Sequence, residues 1–335
     1  MALKRPTIVD VAERAGVSKS LVSLVMRDSP RVGKERRAAI LRAAAELGYR
    51  PNAAARSLVR QSSGLFGCIL SDLHNPFFAD VADGIEEAAV AGGYRALLSS
   101  AFLDPRREAT AVETLLQLQV DGLIMLGPMM GPGPIEDAAR HLPVVVVGHE
   151  TNSLMMDSVR NDDVAGAAAV VDHLVALGHR DIAHIHAGSA SGSRGRLHGY
   201  EAAMRHHHLD EHIRSVQGAF TEAGGRAAMR SIVETGVLPT AVFVANDFAA
   251  LGGLDALDAA GVRVPQDVSV VGYDDITTSH SSRVALTTVA QPSVEMGRTA
   301  INLLTERFEG GRTEARHIVL PPRLVVRRTT APRVR

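Results

Sequence analysis

The chain has 335 residues, 46% hydrophobic and 22% charged, a composition that fits a folded globular protein and excludes a disordered or fibrous one. Its formal net charge of −1 hides a split: residues 1–62 carry 13 Lys and Arg against 5 Asp and Glu, and the rest carries 23 against 32. A basic leader on an acidic body points to a polyanion partner for the leader, and the length suits a small module followed by a two-lobed body.

No apolar run approaches the roughly 18 residues of a membrane span, and the opening MALKRPTIVDVAERAG lacks an apolar signal core. A cytoplasmic location without membrane contact is therefore expected. The single cysteine, Cys68, excludes an internal disulfide and a cysteine-cluster metal site; its apolar neighbours read as a buried strand. Lysine occurs only at Lys4, Lys19 and Lys34, so the body has none for a Walker-type phosphate loop or a Schiff base. With no G-x-S-x-G, H-E-x-x-H or kinase signature either, the expectation is a non-enzyme needing no cofactor and no metal.

In chain order, Thr7 to Asp10 has the Thr-x-x-acid spacing of a helix start, and Ile8, Val11, Ala12 and Ala15 recur at helical spacing up to Gly16. Ser18 suits the N-cap of a second helix that turns Val22 and Val25 inward. A third helix, about Lys34 to Leu47, is expected to point Ile40, Leu41, Ala44 and Leu47 inward and stop at Gly48. This is an all-α helix-turn-helix pattern over residues 1–50, although spacing alone also fits a generic three-helix interaction module. In a helix-turn-helix the second helix enters the major groove, which makes Ser18, Lys19, Ser20 and Ser23 the base-edge candidates. Arg31, Lys34, Arg36 and Arg37 are placed for phosphates, and Thr7 joins the DNA-facing set. Residues 51–63 read as a hinge helix and linker: Pro51-Asn52 restarts the chain, Asn52 is a further DNA candidate, and AAARSL from Ala53 is too short to be a stable helix alone.

From residue 64 to about 330, β-rich runs alternate with amphipathic helical runs, the mark of parallel sheets covered on both faces. The strands expected are Phe66–Ser71, Tyr94–Ser99, Gly122–Leu126, Val144–Val147, Ile182–His186, Ala241–Ala245, Val268–Val271 and Leu286–Val289. The helices expected between them are Pro76–Ala91, Arg106–Leu118, Val164–Leu177, Arg194–His206, Glu222–Glu234, Asp247–Ala260 and Ser293–Phe308. Two half-sets meet near Asn161, giving a first lobe of about 64–160 and 291–319 and a second of about 161–290 and 320–330. A ligand would lie between the lobes at the strand ends. The residues there are Ser71-Asp72, Asn75, Phe77, Phe78, His149, Arg196, Phe220, Asn246-Asp247, Asp274-Asp275 and Gln291. Aromatic faces with carboxylates, amides and one arginine suit a polyhydroxy ligand, although singly a Phe is more often core and an Asp more often a helix cap. Gly131 to Pro134 (GPGP) fails the GxGxxG spacing and reads as a loop, His206 to His208 read as a solvated helix end, and His184 and His186 as packing.

The stretches TIVDVAERAGVS, LVSLVM and RVGKERRAAILRAAAELGYRPNAAARSL resemble the lac repressor and galactose repressor family of transcriptional regulators. The body, through NPFF at Asn75, RxRLxGY ending at Tyr200, VANDxxALG, VVGYDD and LTTVAQP, is similar to the ribose-type periplasmic binding proteins that this family's sensors resemble. The resemblance implies a two-lobed α/β periplasmic-binding-protein-like sensor behind the DNA module. It also implies a minor-groove leucine at Leu58, a close hinge contact at Ala55, and Asn75, Phe77, Phe78, Arg196, Phe220, Asn246, Asp274 and Gln291 lining the cleft. Leu21 and Leu24 stand where the family usually has Thr and Arg, Met26-Arg27 replaces Leu-Asn, and Gly148-His149 replaces the Asp-Arg common in sugar binders. The expected function is that of a repressor, homodimeric on a near-palindromic double-stranded DNA operator, controlled by a small-molecule effector of the sugar class. TTAPRVR at the end gives no heptad tail for a coiled-coil tetramer. Helix faces near Val81 to Ala89 and Thr110 to Leu118 are the candidate dimer surfaces. A transport binding protein and a sugar-processing enzyme are the rival readings of the body, while the effector, the operator sequence and the sign of the response stay open.

Overall fold

The computed structural model describes residues 6–26, 29–50 and 62–333. The chain divides into two compact units, residues 1–63 and 64–335. In the first, α1 (Ile8–Ala15), α2 (Lys19–Met26) and α3 (Lys34–Leu47) enclose a core of Val11, Ala12, Val22, Val25, Ile40 and Ala44. Local chemistry sets each boundary. Thr7 and Asp10 form a reciprocal capping box, Ser18 Oγ accepts from Leu21 N at 3.2 Å, and Gly16 and Gly48 end α1 and α3 in the left-handed conformation. Leu41 is 49% exposed and Ala43 is buried in its stead. At 100° per residue, 40, 43, 44 and 47 share a stripe that 41 leaves. Arg37 donates to the Ser29 carbonyl and so braces the α2–α3 connection.

The second unit contains two parallel sheets. The first runs β11 (His317–Leu320), β5 (Asp157–Asn161), β4 (Val144–Val147), β3 (Gly122–Leu126), β1 (Leu65–Leu70), β2 (Arg95–Ser100). Its faces alternate with period two: Phe66, Cys68, Leu70, Ile124, Val145 and Val147 pack with α4 (Pro76–Ala91) and α11 (Ser293–Phe308), while Ile69, Leu123, Met125, Val144 and Val146 face α5 (Pro105–Gln117) and α6 (Pro132–Ala139). The second sheet runs β7 (Arg214–Gln217), β6 (Ile182–His186), β8 (Ala241–Val244), β9 (Ser269–Val271), between α7 (Asp163–Ala176) with α8 (Ser193–His206) and α9 (Glu222–Glu234) with α10 (Asp247–Ala259). The chain passes between the lobes after Asn161, between β10 (Thr288–Ala290) and α11, and between β11 and β12 (Arg323–Val325), with β10 and β12 paired antiparallel. Where α9 crosses α10, a Cβ at Gly225 would overlap the Ala249 carbonyl, so glycine sets the approach of the two helices.

Some expectations fail. GPGP is not a loop: Gly131 is the N-cap of α6, and Pro132 occupies a first-turn position whose missing N–H costs no helical bond. The β5, β7, β11 and β12 strands were not anticipated. Val81, Ile85 and Ala89 are buried in their own lobe's core, so that face of α4 is not open for dimerisation. His184 packs as expected, stacked on Phe243 at 4.4 Å with Nδ1 3.0 Å from the Phe243 carbonyl.

Candidate functional site

On the first unit, Ser18, Lys19 and Ser20 are exposed at the start of α2, and Ser23 follows half-buried one turn on. Leu21 and Leu24 are half-buried against the three-helix core, which leaves Lys19, Ser20 and Ser23 as the polar set on the outer face of α2. Thr7 is engaged in its capping box, with Oγ1 2.7 Å from Asp10 Oδ2. Arg31 and Lys34 are exposed, and α3 begins at Gly33 with no side-chain cap, so its first amides are open to an anion. Asn52, Ala55 and Leu58 lie outside the described residues.

On the second unit, a cavity of about 380 Å3 opens between the lobes, and of the thirteen strand-end residues singled out from the sequence all but Asp247 and Asp275 line it. From the first lobe come Ser71 at the end of β1, Asn75, Phe77 and Phe78 at the start of α4, and His149 after β4. Asn75 caps α4 by accepting from Phe77 N at 3.1 Å, which fixes the two aromatic rings 5.4 Å apart and nearly edge to face. From the second lobe come Arg196 on α8, Phe220 after β7, Asn246 after β8 and Asp274 after β9, with Gln291 following β10.

These second-lobe groups form one network. Gln291 Nε2 donates to Asp274 Oδ1 at 2.6 Å, and Arg196 Nε donates to Asp163 Oδ1 at 2.9 Å. The Arg196 guanidinium lies over the Tyr273 ring at 3.8 Å and over Phe220 at 5.4 Å. Asn246 Oδ1 caps α10, and its Nδ2 donates to the Phe220 carbonyl. Asp274 has a φ of +114°, a backbone state L residues rarely adopt, held by its N–H bond to the Val289 carbonyl. Burial pushes its carboxyl up to about 6 against the pull of Arg196. Behind it, Asp247 accepts from Ile276 N, Ser279 Oγ and Thr288 Oγ1, and burial beside Asp274 pushes it up to about 7. The lobes also touch directly across the cleft, His149 Nδ1 lying 2.8 Å from Ser191 Oγ. Burial, with Arg194 nearby, lowers the His149 pKa and favours the neutral ring.

The sequence reading missed Asp163, Tyr273, Ser191, Met129 and Met130, of which all but Tyr273 line the cavity. The strands ending at Leu126 and His186 were placed correctly, so their following loops were the available signal. Met129 and Met130 are fixed by buried Glu108, whose carboxylate accepts from both amides. Among the described residues, no group of three or more His, Cys, Asp or Glu is placed to hold a metal ion, and no helix is long and apolar enough to cross a membrane.

A family model described as bacterial regulatory proteins, lacI family, matches residues 7–52, and one described as periplasmic binding protein-like domain matches residues 171–330. The HTH-type transcriptional repressor PurR of Salmonella paratyphi B is 36% identical, over 97% of this chain and 97% of its own length. The crystal structure of the lac repressor dimer bound to operator and the anti-inducer ONPF superposes with a TM-score of 0.87 at 31% identity, covering 98% of this chain and 100% of that one. A complex of the transcriptional regulator CelR with cellobiose gives 0.73 at 31% identity, covering 97% and 100%. The chain belongs to the LacI family and is a DNA-binding transcriptional regulator, not an enzyme.

Proposed function

We propose that the chain is a cytoplasmic, homodimeric repressor whose cleft binds a sugar or sugar-derived effector and thereby changes its affinity for a near-palindromic operator. The observation that carries the effector reading is the cavity itself: aromatic faces at Phe77, Phe78 and Phe220 stand beside Asp274, Gln291, Arg196 and Asn246. Ring faces cover the C–H surface of a sugar, while the amide and carboxylate groups pair with adjacent hydroxyls. At the DNA end, Lys19, Ser20 and Ser23 read base edges, Ser18 and Thr7 sit at helix starts near the backbone, and Arg31, Lys34 and the uncapped start of α3 hold phosphates. Asn52, Ala55 and Leu58 complete that set, Leu58 as a minor-groove wedge.

For the dimer, the edge strand β2 and the outer face of α5 leave Leu98, Phe102 and Leu118 each more than half exposed, beside Thr110 and Thr114. An apolar patch on an unpaired edge suits a two-fold interface. The test is a thermal-shift screen of sugars, sugar phosphates and nucleobases, in which a ligand at 100 times its Kd stabilises by about 2.7 kcal/mol. A sugar hit that also alters DNA affinity supports the reading. A hit confined to nucleobases would move the effector to another class and leave the regulator standing.

A further inference from the structure

We infer that the cleft selects an uncharged effector and rejects phosphorylated or carboxylated ones, with Asp163 as the residue that sets this selection. The inference rests on the reading of the cleft as a sugar site. Asp72, Asp163 and Asp274 line the cavity against a single permanent cation, Arg196. A cleft lined with an excess of one charge repels ligands of that sign.

The bonding of Arg196 matters more than the count. A guanidinium grips a phosphate or carboxylate with two parallel N–H bonds from one edge. Here Nε is taken by Asp163, and Nη1 by the Ala245 carbonyl with Asp274 Oδ1 at 3.6 Å. One face is covered by Tyr273 at 3.8 Å. The edge formed by Nε and Nη2 is therefore closed to a fork, and the edge formed by Nη1 and Nη2 is shared with the Ala245 carbonyl and lies beside the Asp274 carboxylate.

The second natural place for an anion is a helix N-terminus, and several surround the cleft. Those of α4, α7, α9 and α10 are closed by the side chains of Asn75, Asp162, Thr221 and Asn246. Among the described residues of this unit α6, α8 and α11 lack a side-chain cap; α8 is the one whose N-cap lies beside Arg196, and a Cβ placed on that residue, Gly192, would lie 3.2 Å from Asp163 Oδ2. At α8 the chain's own carboxylate thus stands beside the helix start and opposes an anionic ligand group there. Arg194, beside His149, is exposed and outside the cavity wall, and Glu150 acts on the same imidazole with the opposite sign.

The test is a thermal-shift titration of the full chain with matched pairs: glucose and glucose 6-phosphate, ribose and ribose 5-phosphate, galactose and galacturonate, cellobiose and cellobionate. For the pair that binds, the anionic member should be weaker by about tenfold or more. Asp163→Asn should narrow the ratio between the neutral and the anionic member by about fivefold or more, whatever it does to the affinity of both. Equal binding of both members by the unaltered chain would overturn the inference and leave the sugar site intact, a comparison that holds even if the substituted chain fails to fold. Equal gains for both members in Asp163→Asn would overturn the role of Asp163. No binding by any pair would remove the sugar reading and this inference together.

Discussion

Asp274 combines a left-handed backbone, near-complete burial and a direct bond to Gln291 at the cavity wall. Such a backbone state is strained and persists because the surrounding bonds over-determine it. Asp274→Ala should abolish the effector-induced thermal shift and leave DNA affinity within about twofold, since DNA binding belongs to the other unit. Loss of DNA binding would make the residue structural. Asp247, one layer behind, touches no cavity surface and receives three hydrogen bonds. Its carboxyl holds a proton more tightly when folded than the ordinary 3.8, so its stabilising share is complete below pH 3.8 and lost as pH rises through about 7. Asp247→Asn removes that titration. The melting temperature of the unaltered chain should therefore fall relative to the variant's between those two pH values, and parallel curves would contradict the assignment.

At the scale of elements, β5 shows why part of the fold was illegible. Its sequence DSVRN is polar and lacks strand periodicity, yet it lies inside the first sheet because distant partners satisfy most of its buried polar groups, Asn161 Oδ1 excepted. Asp157 accepts from Arg307, Arg312 and the Arg316 amide, Ser158 Oγ lies 2.9 Å from His317 Nδ1, and Asn161 donates to Tyr273 Oη at 2.6 Å. Those partners are more than 100 positions away, beyond any local pattern. Leu41 failed for the opposite reason, an apolar residue just off the buried stripe. The apolar strands and capped helices were readable because local chemistry dictates them, and the cleft was readable because strand ends converge. Asp163 was not readable, since its role depends on Arg196, 33 positions later on another helix. The arginines beside Asp157 hold its carboxyl below the usual range, so its contribution is present above pH 3.8 and lost as acid protonates it. Asp157→Asn should cost about 3–5 kcal/mol, taking the carboxylate from Arg307 and leaving Arg312 only that of Glu306 at the β5, α11 and β11 junction. A loss under about 1 kcal/mol in urea unfolding would show that the cluster is solvated.

For the whole molecule, a cleft that binds an effector and a helix-turn-helix that binds DNA share one chain, and any coupling between them must be reciprocal. The His149 to Ser191 bond spans the two lobes across the cleft. His149→Ala should weaken effector binding by about fivefold, the worth of one hydrogen bond, with little change in DNA affinity without ligand. An unchanged effector affinity would mean that the lobes close without it. The most direct test of the central claim is an anisotropy titration of the full chain on an operator-bearing fragment and on bulk DNA, at about 150 mM salt, with and without the cleft ligand. The account predicts a clear preference for the specific fragment and a change of about tenfold or more when ligand fills the cleft. Equal affinity for both DNAs, or a specific affinity indifferent to a ligand that demonstrably binds, would contradict it.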